Sequence, residues 1–289
     1  MGKHVCVTTL VEDNVSAAGL SGEHGLSFWV EYGKQHVLFD TGQTDLLVEN
    51  AKLLSINLAN TDAIVLSHGH YDHTGGLAAV LDIAPRAIVY VHPAALWPKF
   101  VRKTHETRTI GMSDSTKEVI RAHVQDERVV WTEEPTEVMP RLFATGQIPR
   151  NTNFENVGGS FFVDENCKNA DILPDDQAMF FDTPKGLVVL LGCSHAGVVN
   201  TLDYIVKLTG KRRIFSVMGG LHLLSSSQER IERTISVFRK YDVQRIGLAH
   251  CTGANATRQI SSAFPSQCFI CSTGSQVNLQ EIIRTPIYK

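Results

Sequence analysis

The sequence lacks a surplus of charge of either sign. Its 289 residues include 27 lysine and arginine residues and 30 aspartate and glutamate residues, so the formal net charge is only −3. A protein that binds nucleic acid through its phosphates needs a clustered basic surface. The one compact basic cluster, Lys211-Arg212-Arg213, is predicted to lie in a solvated turn before a strand. We therefore expect no nucleic-acid partner.

Long apolar runs are lacking too. No stretch approaches the roughly 20 apolar residues of a membrane-spanning helix, and residues 5–10 form a strand-like segment without the features of a signal peptide. These absences predict a cytoplasmic protein without a membrane partner. The six cysteines are scattered along the chain, which predicts reduced thiols. Cys268 and Cys271 have the spacing of a redox or zinc pair, but no second pair accompanies them, so we expect them only to pack.

The composition indicates one globular domain. Hydrophobic residues make up 43% of the chain, enough to bury a large core, and no linker divides it, so we predict a single domain over residues 1–289. Residues 98–128 form a more polar insertion without clear periodicity, which we expect near the mouth of a site. Arg102, Lys103 and Arg108 make this insertion basic, either as a solvated face or as a contact for an anionic substrate group.

The second half of the chain alternates strands with helices. The predicted strands cover residues 187–191, 214–218 and 245–249, and predicted helices over residues 198–208 and 228–241 separate them. This alternation is typical of a parallel sheet covered by helices. In such sheets, ligand sites lie in the loops at the carboxyl ends of the strands.

A histidine-rich loop follows the apolar run Ala63-Ile64-Val65-Leu66, which is predicted to be a buried strand. Four side chains that can bind a metal fall within six residues of this loop: His68, His70, Asp72 and His73. Imidazole and carboxylate groups are ligands for zinc, iron and manganese. Gly69 is expected to adopt backbone angles closed to other residues, so that both neighbouring rings turn toward one ion. A surface loop that is rich in histidine by chance is the weaker interpretation.

Three further histidines follow the strands of the second half. His195, His222 and His250 each stand at or just beyond the carboxyl end of one of these strands. Taken singly, each could be a packed loop residue. Because the strand ends should meet at one edge of the sheet, we expect these histidines to converge with the histidine-rich loop.

These motifs resemble the signature of the metallo-β-lactamase superfamily, and the resemblance runs from about residue 5 to about residue 270. It includes Asp40-Thr41-Gly42 after an early strand and, more narrowly, segments 143–150, 192–197, 219–223 and 250–253. The narrower set resembles a branch of metal-dependent hydrolases that also contains a methanopterin-pathway synthase. The resemblance implies an α/β (α+β) fold, a four-layer αββα sandwich with metals at one edge of its sheets.

The resemblance also implies a cofactor of one or two divalent transition-metal ions, with zinc expected first and iron or manganese as alternatives. The expected ligand sets are His68, His70 and His195 for one ion, and Asp72, His73 and His250 for the other. The usual metal-bridging aspartate is absent after strand 187–191, where Cys193-Ser194-His195 stand instead. We expect His195 to replace it as a ligand of one ion and the Cys193 thiol only to pack. Asp175 and Asp176 are expected in a hairpin turn, unless one of them reaches the metal or orients a histidine.

The implied function is that of a metal-dependent hydrolase, in which metal-activated water attacks a small ester, phosphoester or related substrate that could be anionic. Asp72 would accept a proton and His222 would act as an acid or contact the substrate, unless it is itself a ligand. One alternative is a transferase that joins a dihydropterin diphosphate to an arylamine, although Gln147 stands where the branch usually has a glutamate. The other is a binding module without catalysis. The sequence does not indicate an oligomeric state.

Overall fold

A computed structural model describes residues 5–103 and 106–279 of the chain. Two seven-stranded sheets pack face to face. The strands of the first sheet are β1 (Val5–Val11), β2 (Ser27–Tyr32), β3 (Gln35–Phe39), β4 (Ala63–Val65), β5 (Ile88–Val91), β8 (Val129–Trp131) and β17 (Gln276–Leu279). Their order is β17-β1-β2-β3-β4-β5-β8, antiparallel from β17 to β3 and parallel from β3 to β8.

The second sheet combines a hairpin with the predicted parallel strands. Its strands are β9 (Thr136–Met139), β10 (Leu142–Ala144), β12 (Ala178–Thr183), β13 (Gly186–Leu191), β14 (Ile214–Gly220), β15 (Arg245–Ala249) and β16 (Cys268–Ile270). Their order is β16-β15-β14-β13-β12-β10-β9. The four strands β13 to β16 are parallel, as the alternation of strands and helices predicts. The strands that precede the three histidines therefore end at the same edge.

Helices cover the outer faces of both sheets. They are α1 (Leu46–Leu53), α2 (Tyr71–Thr74), α3 (Leu77–Ile83), α4 (Asp114–Gln125), α5 (Val198–Thr209), α6 (Gln228–Lys240) and α7 (Ala254–Ala263), with short 3-10 helices at Leu58–Asn60, Pro93–Leu96 and His250–Thr252. Side chains of α1, α3 and α4 pack on the first sheet, and those of α5, α6 and α7 pack on the second. The result is the expected four-layer αββα sandwich, so this prediction is confirmed.

Strand β13 shows how the apolar sequence produces the layers. Val188 and Leu190 point into the central core between the sheets, whereas Leu187, Val189 and Leu191 point into the outer core under the helices. Successive side chains of a strand alternate between the two faces of a sheet. A strand buried on both faces therefore reads as a continuous apolar run.

The polar insertion at residues 98–128 is regular, which its sequence does not suggest. It contains strands β6 (Phe100–Lys103) and β7 (Glu106–Thr109), which form a small sheet with β11 (Phe161–Phe162), and then the 12-residue helix α4. Ser113 caps α4 by accepting a hydrogen bond from the Thr116 backbone N–H at 3.1 Å. The buried residues of α4 are Thr116 and Ile120, so few apolar residues mark this helix in the sequence.

No helix in the described part of the chain is long and apolar enough to cross a lipid bilayer.

Candidate metal site

The histidine-rich loop after β4 is held close to the chain at Ala95. A Cβ atom on Gly69 would lie 2.1 Å from the Ala95 carbonyl oxygen, and Gly69 is not in the left-handed region. The expectation about its backbone angles is therefore wrong. Glycine is needed here because any side chain would collide with the neighbouring backbone.

The first predicted ligand set comes together at this loop. Candidate ligand atoms of His68, His70 and His195 all lie within 4.8 Å of one another, and the three side chains are buried. His68 Nε2 lies 3.0 Å from His70 Nδ1. The strand ends thus bring together residues that are more than a hundred positions apart in the sequence.

Hydrogen bonds fix the orientation of two of these rings. His195 Nδ1 donates to the Val157 carbonyl oxygen at 2.8 Å, so its Nε2 carries a lone pair. That Nε2 is buried and has no hydrogen-bond partner among the described residues. His68 Nδ1 lies 2.9 Å from Ser67 Oγ. The Ser67 hydroxyl donates its hydrogen to Asp40 at 2.7 Å, so it can only accept a hydrogen bond from His68 Nδ1. Metal-binding histidines are typically oriented by such partners of their second nitrogen.

Burial keeps the first set uncharged. It lowers the pKa of His68 and His195 well below the usual range, and the neighbouring imidazoles act in the same direction. Burial also lowers the pKa of His70 to about 3. The neutral imidazole is the form that binds a metal ion, so three buried lone pairs are available at neutral pH.

The second predicted set lies beside the first. Asp72 Oδ2 is 3.4 Å from His250 Nε2 and 4.0 Å from His73 Nε2. His73 Nδ1 lies 2.7 Å from Asp40 Oδ2, which turns its Nε2 toward the other two residues. Asp40, at the Asp-x-Gly motif, therefore orients rings of both sets.

Two residues of the loop between β1 and β2, Asp13 and His24, complete this side. His250 Nδ1 lies 2.8 Å from Asp13 Oδ1, and His24 lies 3.1 Å from Asp13 and 3.3 Å from Asp72. Burial opposes ionisation of Asp72, but His73 and the hydrogen bond to His250 hold its pKa well below the usual range. For His250, burial is likewise outweighed by hydrogen bonds to Asp13 and Asp72, which raise its pKa well above the usual range. No sequence pattern marks Asp13 or His24.

Cys193 occupies the space between the two sets. Its Sγ lies 3.2 Å from His73 Nε2. Within each of three groups that include Cys193, the candidate ligand atoms lie within 4.8 Å of one another. Its partners are His68 and His73 in the first group, His195 and His222 in the second, and His250 and Cys251 in the third. The expectation that this thiol only packs does not fit this arrangement, whereas the expected place of His195 beside His68 and His70 does. The sequence feature that could have indicated this role is the position of Cys193 directly after Gly192, at the end of β13.

His222 lies at the side of the first set. Its ring centroid is 4.2 Å from that of His195, and its Nε2 is 3.3 Å from the Gly158 carbonyl oxygen. Its Nδ1 is buried without a hydrogen-bond partner among the described residues. His222 therefore borders the site, which is where a residue that contacts a substrate would lie. Because it also groups with Cys193 and His195, it is a candidate metal ligand as well.

Asp175 and Asp176 do not lie in a hairpin turn; they stand before β12 and support the ligand loops. Asp175 accepts hydrogen bonds from the Gly69 backbone N–H at 2.8 Å and from Lys99 Nζ at 2.9 Å. Asp176 accepts one from the Ala196 backbone N–H at 2.7 Å. Both carboxylates are buried, so they hold the loops of His68 and His195 in place.

The backbone at the site is strained. Four residues other than glycine have φ in the left-handed region, with φ of 60° at Asp40 and Ser194 and 48° at His222 and His250. Such conformations cost of order 1–3 kcal/mol each and concentrate at functional sites. Each of these residues follows a strand of the two large sheets.

Both sets face a cavity of about 560 Å³. The small sheet forms one wall, where Arg102, Lys103 and Arg108 line the cavity together with Phe161. The basic side chains of the insertion therefore face the candidate site. A cavity of this volume is in the range that holds small-molecule ligands.

The donor set fits divalent transition-metal ions. Unprotonated ring nitrogens converge in a buried position, and an ionised carboxylate and a thiol lie beside them. Nitrogen, oxygen and sulfur ligands of this kind are those of zinc and of iron or manganese. Without an ion, buried nitrogens such as His195 Nε2 have no polar partner among the described residues.

Comparisons with known proteins agree with this geometry. The sequence model of the metallo-beta-lactamase superfamily matches residues 20–149. The 7,8-dihydropterin-6-methyl-4-(beta-D-ribofuranosyl)-aminobenzene-5′-phosphate synthase of Methanocaldococcus jannaschii is 31% identical over 272 residues, which are 90% of this chain and 92% of that protein. The crystal structure of a metal-dependent hydrolase of the beta-lactamase superfamily is 30% identical, with a TM-score of 0.80 over 96% of this chain and 100% of that one. Zn(2+)-bound PqqB from Methylobacterium extorquens, 13% identical, has a TM-score of 0.56 over 95% of this chain and 100% of its own.

Proposed function

This chain belongs to the metallo-β-lactamase superfamily, and from that premise we propose that it is a metal-dependent hydrolase of small esters or phosphoesters. The observation that carries the proposal is the pair of donor sets at one cavity, with the Cys193 thiol between them. Members of this superfamily are mostly metal-dependent hydrolases. Hydrolysis is also the reaction that needs the least machinery beyond the ligands themselves.

The proposed ligands are the two predicted sets together with Cys193. His68, His70 and His195 would hold one ion, Asp72, His73 and His250 would hold the other, and Cys193 would serve as a further ligand. When bound, a divalent ion supplies Lewis acidity, which polarises a carbonyl or phosphoryl oxygen and makes water nucleophilic near neutral pH. We expect zinc first, with iron and manganese as alternatives, because the donors are nitrogen, oxygen and sulfur.

The remaining steps are assigned to residues that face the cavity. Asp72 is ionised, so it accepts a hydrogen bond from the attacking water and orients it. His222 is proposed to contact the substrate, because its ring borders the cavity and its Nδ1 has no hydrogen-bond partner among the described residues. Its Nε2 faces the Gly158 carbonyl oxygen and carries the hydrogen, so Nδ1 is the nitrogen that accepts a hydrogen bond. The proposed substrate is a small molecule with an anionic group, attracted by Arg102, Lys103 and Arg108 on the opposite wall.

A hydrolysis screen tests this proposal. Protein loaded separately with zinc, iron and manganese is assayed against phosphomonoesters, phosphodiesters and carboxyl esters. We expect hydrolysis of at least one class that a chelator abolishes. His222→Asn should retain the metal and raise KM, because a contact with the substrate is missing. Bound metal without hydrolysis of any class would contradict the hydrolase proposal.

A transferase is the second candidate, and one observation favours it. The relative from Methanocaldococcus jannaschii is named a synthase and aligns over 92% of its length. In a reaction of this type, the site residues would hold a diphosphate leaving group while an arylamine attacks the adjacent carbon. Incubation with a dihydropterin diphosphate and an arylamine separates the two functions. Product that contains the arylamine supports the transferase, and release of the free pterin alcohol alone supports the hydrolase.

A further inference from the structure

A second pocket of about 410 Å³ lies next to the candidate metal site. It is formed where the loop around Asn156 meets the start of α6, and Ser225, Ser226 and Arg230 line it. The pocket and the site cavity have Gly158, Gly159, His222 and Ser225 in common in their walls. The two cavities are therefore immediate neighbours along these residues.

Arg230 is a cation with unused hydrogen-bonding capacity. Its side chain is buried, at 3% exposure. Nη1 donates to the Asn156 carbonyl oxygen at 3.0 Å and lies 3.3 Å from Asn156 Oδ1. Nε and Nη2 are buried and have no acceptor among residues 5–103 and 106–279. A guanidinium is always charged, and a buried charge without a partner is strongly unfavourable.

Glu155, the acidic side chain whose charge acts most strongly on Arg230, is already engaged elsewhere. Glu155 accepts hydrogen bonds from the backbone N–H groups of Val199 and Asn200, both at 2.9 Å, at the start of α5. It also accepts one from the Thr152 hydroxyl at 3.2 Å. No ion pair of Arg230 occurs within the described part of the chain, so its charge faces the pocket without a direct counter-charge.

The start of α6 lies at the same pocket. This helix has 13 residues, and Ser227 caps it by accepting from the Arg230 backbone N–H at 3.3 Å. The first backbone N–H groups of a helix have no partner within the helix, and the helix dipole favours negative charge there. Ser225 and Ser226 contribute hydroxyl groups to the lining. Buried guanidinium, hydroxyls and helix start together form the kind of site that binds phosphate.

We propose that this pocket is a subsite for a phosphoryl group of the substrate. The planar guanidinium matches two phosphoryl oxygens, and the Ser225 hydroxyl can donate to the third. The reacting bond would then lie beyond His222, at the candidate metal site. The identification of the substrate as a phosphorylated small molecule rests on the proposed function. The binding of phosphate to the pocket is independent of that function.

The cations on the other wall of the cavity do not explain this pocket. Arg102 is engaged with the Asn166 carbonyl oxygen at 3.0 Å and the face of Phe162. Lys103 and Arg108 are exposed, so water screens their charges. They can attract an anion toward the cavity, whereas Arg230 offers buried donors that can hold it.

Phosphate binding tests the inference directly. Metal-loaded protein is titrated with inorganic phosphate and with a phosphomonoester by isothermal titration calorimetry. Arg230→Gln removes the buried charge, and Ser225→Asp places a negative charge in the pocket wall at an exposed position that folding tolerates. We expect each variant to weaken binding by about tenfold or more, the usual effect of losing a charged hydrogen bond. Arg239→Gln, an exposed change at the other end of α6, is the matched control and should bind phosphate as the unaltered protein does.

His70→Ala separates this subsite from the metal site. If the anion binds at Arg230, the affinity of this variant for phosphate should stay within about twofold of that of the unaltered protein. Unchanged affinity in both Arg230→Gln and Ser225→Asp, or loss of binding in His70→Ala, would overturn the inference. A protein that binds phosphate through Arg230 but hydrolyses no ester would refute the proposed function and leave the subsite standing.

Discussion

Replacing Cys193 by alanine tests the feature that joins the two ligand sets. The Cys193 sulfur is buried and lies 3.2 Å from His73 Nε2, within 4.8 Å of candidate ligand atoms of both sets. Its removal leaves His68, His70 and His195 intact, so the first ion should still bind. The second set loses a ligand and the negative charge that offsets repulsion between two cations.

The expected effect is large and specific to one ion. Loss of a group that merely orients a ligand weakens metal binding by about 10- to 100-fold. Loss of a ligand itself should therefore lower the affinity for the second ion by about 100-fold or more, which corresponds to about 2.7 kcal/mol. Cobalt titration followed by absorbance measures both steps, because a thiolate ligand gives a charge-transfer band in the near ultraviolet. Cys193→Ala should lose this band together with the tight second step.

Two further variants make this result interpretable. Cys193→Asp places a carboxylate between the sets and should recover the second step without the thiolate band. Cys271→Ala removes another buried thiol, in the central core, and should retain both features. Unchanged stoichiometry and an unchanged band in Cys193→Ala would show that the thiol is not a ligand, and the proximity of its sulfur to both sets would then reflect packing alone.

Three other predictions follow from the same geometry. His70→Ala should lose the first ion and all activity by elemental analysis and assay, whereas His123→Ala on α4 should change neither; equal losses would indicate general destabilisation. Lowering the pH should weaken metal binding at the second set by about tenfold per unit, because His250 has a raised pKa and must release a proton. The first set, with lowered pKa values, should keep its affinity over the same range, and parallel losses at both sets in pH-dependent titrations would contradict this. Lys99→Met should lower the free energy of unfolding by about 3–5 kcal/mol, because Asp171 and Asp175 remain buried without their cation. Urea titrations of chelator-treated protein measure this change, and a loss below about 1 kcal/mol would show that Lys99 does not stabilise the two carboxylates.

The fold was predictable because its signals are local. The apolar run of β13 and the helices that follow β13 and β14 are visible as patterns in the sequence, and parallel pairing brings the strand ends together. Helix α4 was missed because only Thr116 and Ile120 are buried along it. Most of its residues are polar, so its sequence resembles that of a polar loop.

The candidate site was predictable only in part. Six residues at strand ends could be named because histidines and an aspartate cluster in one loop or follow successive strands. Asp13, His24 and Arg230 could not, since each is a single polar residue whose meaning depends on neighbours far away in the sequence. Cys193 was visible, but a thiol next to a serine and a histidine does not reveal which of them faces the cavity.

Metal content tests the central claim most directly. The protein is purified after growth with zinc, iron and manganese, saturated with each metal in turn and freed of unbound ions, and its metal content is measured by elemental analysis. Two donor sets that share Cys193 predict about two ions per chain at saturation, with one retained more tightly than the other. Fewer than about one ion per chain with every metal would contradict the account, and the chain would then be a binding module that keeps the fold without the metal chemistry.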